Sequence, residues 1–145
     1  MKFGPVNVQE AEGAILAHSL TLPNGQRIRK GALIDALLVD ELIAAGITEI
    51  IVARAEANEI GEDIAASEIA SAIKGQNFRT DIAKTGRVNF FATTDGLFQV
   101  SRELINAVNA IDPAITIATL DNYSKVNSGR IIATIKIIPY AVTKK

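Results

Sequence analysis

Across residues 13–52 the spacing of apolar and polar positions changes three times, and each change marks an element. The apolar run AILAHSLTL (14–22) predicts a strand. Pro23-Asn24-Gly25 interrupts it, with Asn24-Gly25 suited to the positive φ values of a tight hairpin, and the short polar segment QRIRK (26–30) predicts the second arm. Gly31 closes that arm. Asp35 can then accept from the free N–H groups of a helix whose apolar positions, Leu38, Val39, Leu42, Ile43 and Ala45, fall at helical spacing. Gly46, just past the last periodic residue, suits a left-handed cap, with Ile47 folding back on the final turn. TEIIVA (48–53) predicts the return strand.

On either side the pattern is less regular. KFGPVNVQE (2–10) alternates as a strand that Pro5 restricts to an edge or an entry position. RAEANE (54–59) is a polar connection. GEDIAASEIASAIK (61–74) predicts an Ala-rich helix buried along Ile64, Ile69 and Ile73, with Glu62 and Asp63 in the first turn where the helix dipole favours negative charge and Gly75 as its stop. Residues 77–83 and 86–92 read as strands. A turn over 93–96, built on Asp95-Gly96, predicts a hairpin returning through 97–100. Ser101 is an N-cap for a helix whose buried stripe is Leu104, Ile105, Val108 and Ile111, ended by Asp112-Pro113. The β-branched tail, 114–142, predicts two or three strands with a turn at 127–129, and residues 130–138, apolar at nearly every position, predict a strand buried on both faces.

Strands and helices alternate without long strand–helix–strand crossovers, which favours an α+β fold of small barrel-like sheets with about three short helices. The polar connection divides the chain into a hairpin–helix–strand lobe, 1–58, and a helix-plus-β-rich lobe, 59–145, unless the two form one compact domain. The abrupt stop at Thr143-Lys144-Lys145 after so apolar a strand suggests the leading module of a longer protein.

Composition narrows the function. A chain of 145 residues with 48% hydrophobic and 21% charged residues has the make-up of a globular protein and can bury a core. A net charge of −1 provides no whole-chain field for nucleic acid or anionic membrane. The absence of cysteine removes disulfides, thiolate nucleophiles and Cys-ligated metals. There is no apolar leader after Lys2 and no run of spanning length, so a cytoplasmic protein is the expectation. Aromatic residues make up 5% and Trp is absent, which weakens any reading that needs stacking platforms.

Candidate chemistry is sparse. His18, the sole histidine, lacks carboxylates at ligand spacing and reads as a strand residue, and no metal is expected to bind directly. Asp40-Glu41 and the group Glu59, Glu62 and Asp63 are the evident carboxylate clusters; neighbours on a helix point apart, and acids at a helix start are explained by its dipole. Arg27, Arg29 and Lys30 could hold a phosphate or carboxylate, or could simply be the charges that keep an edge strand from pairing. The best ligand surface is Thr85, Gly86, Arg87 and Asn89 with Thr94, Asp95 and Gly96: the glycines permit close backbone approach and Arg87 offers a planar fork of donors. The competing reading is two ordinary turns. No phosphate loop, nucleophile elbow or paired-histidine zinc motif occurs, and a stand-alone enzyme has the least support.

Taken together, GAILAHSLTLPNGQRIRKGALIDALLVDELIAAGITEIIVA, IGEDIAASEIASAI, TGRVNFFATTDGLFQVSRELINAVNAIDPAITIATL and GRIIATIKIIPYAV resemble the N-terminal region of bacterial molybdopterin-binding proteins related to the molybdopterin molybdotransferase (MoeA) group. In that family the region precedes a molybdopterin-binding domain and, in many members, a cofactor cytidylyltransferase domain. Asp95-Gly96 is similar to the Asp-Gly of a Ser-x-x-Asp-Gly-Tyr stretch there, with Leu97 in the tyrosine's place and no matching serine. The family's Gly-rich pterin and nucleotide motifs do not occur in this chain. The resemblance implies a non-catalytic N-terminal module in molybdenum cofactor biosynthesis that supplies an interface or one wall of a pterin-phosphate site, with molybdopterin or its nucleotide adduct as ligand; catalysis would belong to a longer transferase. The alternative is a dimerisation or docking module without a small-molecule ligand, forming a homo-oligomer. The first stretch alone is also similar to small modules ahead of cyclic-dinucleotide phosphodiesterase domains, a pattern that mainly encodes a fold.

Overall fold

The computed structural model describes residues 1–144. By internal contacts the chain divides into two units, Met1–Glu59 joined by the end of the chain from Thr143, and Ile60–Val142.

In the first unit, β1 (Lys2–Asn7) leads through a single 3-10 turn to β2 (Ile15–Leu16), β3 (Leu20–Thr21), β4 (Arg27–Ile28), α1 (Ala36–Ala44) and β5 (Glu49–Arg54). The run 14–22 is not one strand. It bends at residues 17–19, so that β2 joins a three-stranded antiparallel sheet of order β1-β5-β2 while β3 pairs with β4. Pro5 lies on the edge strand β1, where its missing N–H costs no ladder bond. The β3–β4 hairpin turns through a Gly25 N–H to Leu22 carbonyl bond of 2.9 Å, with Gly25 at φ +85°, the three-residue form with one left-handed position. Asp35 caps α1 by accepting from the Leu38 N–H at 2.9 Å. At the other end Gly46, at φ +75°, donates to the Ile43 carbonyl and Ile47 to that of Leu42, the paired closure of a Schellman cap. Leu42 and Ile34 are fully buried with Val8, Leu16, Ile50 and Val52.

In the second unit, β6 (Glu59–Gly61) begins at the boundary and α2 (Glu62–Ala72) follows, then β7 (Phe78–Thr80), β8 (Arg87–Ala92), β9 (Gly96–Leu97), α3 (Arg102–Asn109), β10 (Ile115–Thr119), β11 (Lys125–Val126), β12 (Ile131–Ile137) and β13 (Ala141–Thr143). A four-stranded antiparallel sheet of order β10-β12-β8-β7 carries the core; β9 pairs with β11 and β6 with β13. No sheet closes on itself among the described residues, so the fold is α+β but not barrel-like. The physical reason is strand length: β9, β11 and β13 have two or three residues, too few to tilt and stagger round a closed ladder. Among the described residues no helix is long and apolar enough to cross a membrane.

Three local expectations are corrected. β12 is buried on one face only: Ile135 and Ile137 are fully enclosed with Val88 and Phe90, while Thr134 and Lys136 alternate onto a polar face opposite Asn89 and Arg87. A bulge at Ile132, between the paired positions Ile131 and Ala133, turns that residue inward as well and hides the alternation in the sequence. The inward face of α2 is Ala65, Ala66 and Ala70 with Ile69 and Ile73, and Ile64 is 57% exposed. These small residues let the helix lie close over β8 and β12. The helix ends where Ile73 turns extended, and Gly75 is no left-handed cap; a Cβ there would lie 2.5 Å from the Phe78 ring, so its role is close approach.

Replacing Ile135 by Ala should cost about 2–5 kcal/mol, whereas Ile64→Ala should stay within about 0.5 kcal/mol of the parent; urea unfolding of both variants checks which positions form the core.

Candidate functional site

The seven residues chosen from the sequence do not converge: Thr85, Gly86 and Arg87 lie at the start of β8, Asn89 within it, and Thr94, Asp95 and Gly96 beyond its end, a strand length of about 17 Å from the first three. At the first end, Thr85 and Gly86 are the two central residues of a tight turn, with φ +51° and +69°, closed by reciprocal bonds between Lys84 and Arg87. They join β7 to β8, so β8 forms its hairpin with the strand before it and not, as expected, with the segment after it. The Gly86 N–H, the donor a phosphate would use, donates to the Asp63 carboxylate at 2.6 Å, and the Lys136 amine donates to the Thr85 carbonyl. Lys136 also lies 3.8 Å from Glu62. Asn89 is tied into the outer face of the sheet: its backbone and side-chain N–H groups donate to Asp81 at 2.7 and 2.8 Å, and its amide oxygen accepts from Thr134. Arg87 is exposed.

The other carboxylates are likewise separated. Glu59 accepts from the Met1 amine at 2.6 Å and from the Glu56 N–H, which hold its carboxyl below the ordinary range. Glu62 and Asp63 have the partners just named. Glu41 accepts from Gln26 in the first unit. His18 is exposed and meets the Phe3 ring edge-on at 6.4 Å. Among the described residues no group of three or more His, Asp or Glu could hold a metal ion.

At the second end of β8, Thr94, Asp95 and Gly96 stand at the rim of a cavity of about 1000 Å³ contained in the second unit. Asp95 spends one oxygen on the Ser128 N–H at 2.8 Å, which fixes the turn. The cavity exists because of two departures from the expected packing. Residues 97–100 do not return along β8; β9 pairs with β11, the Phe98 N–H donates to the Ser124 carbonyl, and the Val100 N–H donates to Asn122. And α3 has no buried residue. Its stripe of Leu104, Ile105, Val108 and Ile111 faces the cavity, where Leu104 and Ile111 remain 68% and 64% exposed. The floor is Phe90, Ala92, Ile117 and Ile132, and Phe78 stands edge-on to Phe90 with centroids 5.4 Å apart. Exposed Lys74, Gln76, Asn77 and Gln99 bring polar groups to the mouth. The lining thus joins an apolar body to polar groups at one end, the make-up of a small-molecule pocket.

Reading the sequence for polar chemistry passed over this site, because an apolar helical stripe is the same signal whether it meets a core or a cavity. The one clue was LFQV (97–100), an apolar segment following a turn.

Among protein families, a domain of unknown function, DUF8806, matches residues 5–54. That is about a third of the chain and lies within the first unit, leaving every cavity residue outside it. No curated protein matches, and no solved structure does.

Gly86 has a steric reason as well as a conformational one: a Cβ there would lie 2.7 Å from both a Glu62 carboxylate oxygen and the Ile137 carbonyl. Gly86→Ala should therefore lose about 1–3 kcal/mol from backbone strain alone, measured by urea unfolding. For Asp81, burial pushes the carboxyl up, but the bonds from Asn89 outweigh it and hold the pKa below the ordinary value. Its contribution to stability is thus complete above about pH 4 and is lost as the pH falls through the lowered value. The difference in urea midpoint between the parent and Asp81→Asn should be constant near neutrality and shrink below pH 4.

Proposed function

We propose that this chain is a non-catalytic binding module acting in the cytoplasm, with the cavity of the second unit as its site. The observation that carries this reading is α3: an amphipathic helix whose apolar stripe lines open space, where burying one such side chain is worth about 1.5–3 kcal/mol. A ligand with a flat or extended apolar body would supply the missing burial, its polar end resting among Lys74, Gln76 and Asn77. The resemblance to molybdopterin-binding proteins makes molybdopterin or its nucleotide adduct the first such ligand to try, the pterin lying toward Phe78, Phe90 and Phe98 with Thr94, Asp95 and Gly96 at the rim. In that form the module belongs to molybdenum cofactor biosynthesis and works as the leading part of a longer transferase. The turn at Thr85 and Gly86 would be structural, since its amide is already taken by Asp63.

A second reading, a homo-oligomerisation module, is favoured by one observation: Pro5 and Ile51 are cross-strand partners on the open β1–β5 face of the first unit, with the 57% exposed Phe3 two residues along. A monomeric mass by light scattering at high concentration would remove it.

Calorimetric titration with molybdopterin should show binding that Val108→Asp weakens by at least about tenfold, as expected for a charge placed in an apolar site; binding that Val108→Asp leaves unchanged while Arg87→Ala abolishes it would move the site to the other end of β8.

A further inference from the structure

One side chain ties the α3 wall of the cavity to the edge of the sheet. Asn109, the last residue of α3, donates from Nδ2 to the Ile117 carbonyl at 3.0 Å and accepts from the Ile117 N–H through Oδ1 at 2.7 Å. Ile117 lies on β10, the edge strand of the four-stranded sheet, and its other neighbour is Ile135 of β12. The amide of Asn109 therefore takes the place of a further strand, satisfying both backbone groups of an edge residue that would otherwise face water or another chain. It does so at the residue whose side chain forms the cavity floor, 4% exposed. α3 is held besides by Ile105 and Val108, which pack against the core. Its N-terminal cap, Ser101 to the Leu104 N–H, is internal to the helix, and Ile105 and Val108 are only half-buried.

We infer that Asn109 is the positioning residue of the cavity: its two-bond clamp on the β10 edge sets the spacing of α3 from the sheet and so the width of the open space beneath the helix. This rests on the cavity being the binding site. A helix with no fully buried side chain belongs to the least stable part of a fold, and a two-bond clamp at its end holds it at one distance from the strand.

Hydrogen exchange on the full chain tests the clamp and an apolar dye tests the site. In Asn109→Ala, exchange across residues 102–110 and at Ile117 should rise about tenfold while the amides of β8 and β12 keep the parent's protection. Asn109→Asp, which keeps the acceptor for the Ile117 N–H and loses the donor, should fall between the two and covers the case in which the Ala variant does not fold. The dissociation rate of 8-anilinonaphthalene-1-sulfonate should rise in the same order. Exchange that increases evenly through the second unit, or not at all, overturns the inference. A dye that fails to bind the parent, or that binds an Ala107→Trp variant with a filled cavity equally well, overturns the site instead and leaves the exchange result to decide the clamp.

Discussion

The second unit depends on the burial of one face of a sheet whose central strand is β12. Ile135 and Ile137 are fully enclosed there, between the Ala face of α2 on one side and cross-strand partners on β8 and β10. Because alanines face the sheet, α2 can approach closely, and that closeness places its first turn against the β7–β8 turn. Asp63 and Lys136 then hold the Thr85 and Gly86 backbone, and a β-branched residue stays at φ +51°, a conformation it does not adopt without such support. An acidic first turn, favoured in any helix by the dipole, here also serves as the acceptor for a neighbouring loop.

At the other end of the same sheet the packing is incomplete. Side chains of α2 fill the space over β8 and β12 near Val88, but beyond Phe90 the cover passes to α3 and to residues 97–100, which reach the core only through the half-buried Ile105, Val108 and Phe98. An open space of about 1000 Å³ between a helix and its sheet leaves apolar lining facing water instead of other side chains, unlike the close packing of a protein core. A polar latch at the strand edge, added to the half-buried Ile105 and Val108, accounts for how α3 stays folded against the sheet while the space beneath it stays open. In the first unit the core closes around Leu42 and Ile34, and its unusual surface is the apolar strip on β1 and β5.

What the chain determined by itself was local. The Asp35 and Ser101 caps, the Schellman closure at Gly46, the Asn24-Gly25 turn and the edge placement of Pro5 depend on bonds reaching a few residues or on the geometry of one residue, and each occurs where the residues called for it. What only the tertiary structure decided was partnership. β8 chose β7 and β12, β9 chose β11, the bulge at Ile132 set which face of β12 is inward, and the polar candidates were parted by the length of a strand. A periodic apolar stripe states that a face wants burial and carries no term for what lies opposite. For α2 the opposite surface was a sheet, whereas for α3 only Ile105 and Val108 met the core and Leu104 and Ile111 stayed exposed at the cavity, a difference fixed by contacts between residues far apart in sequence.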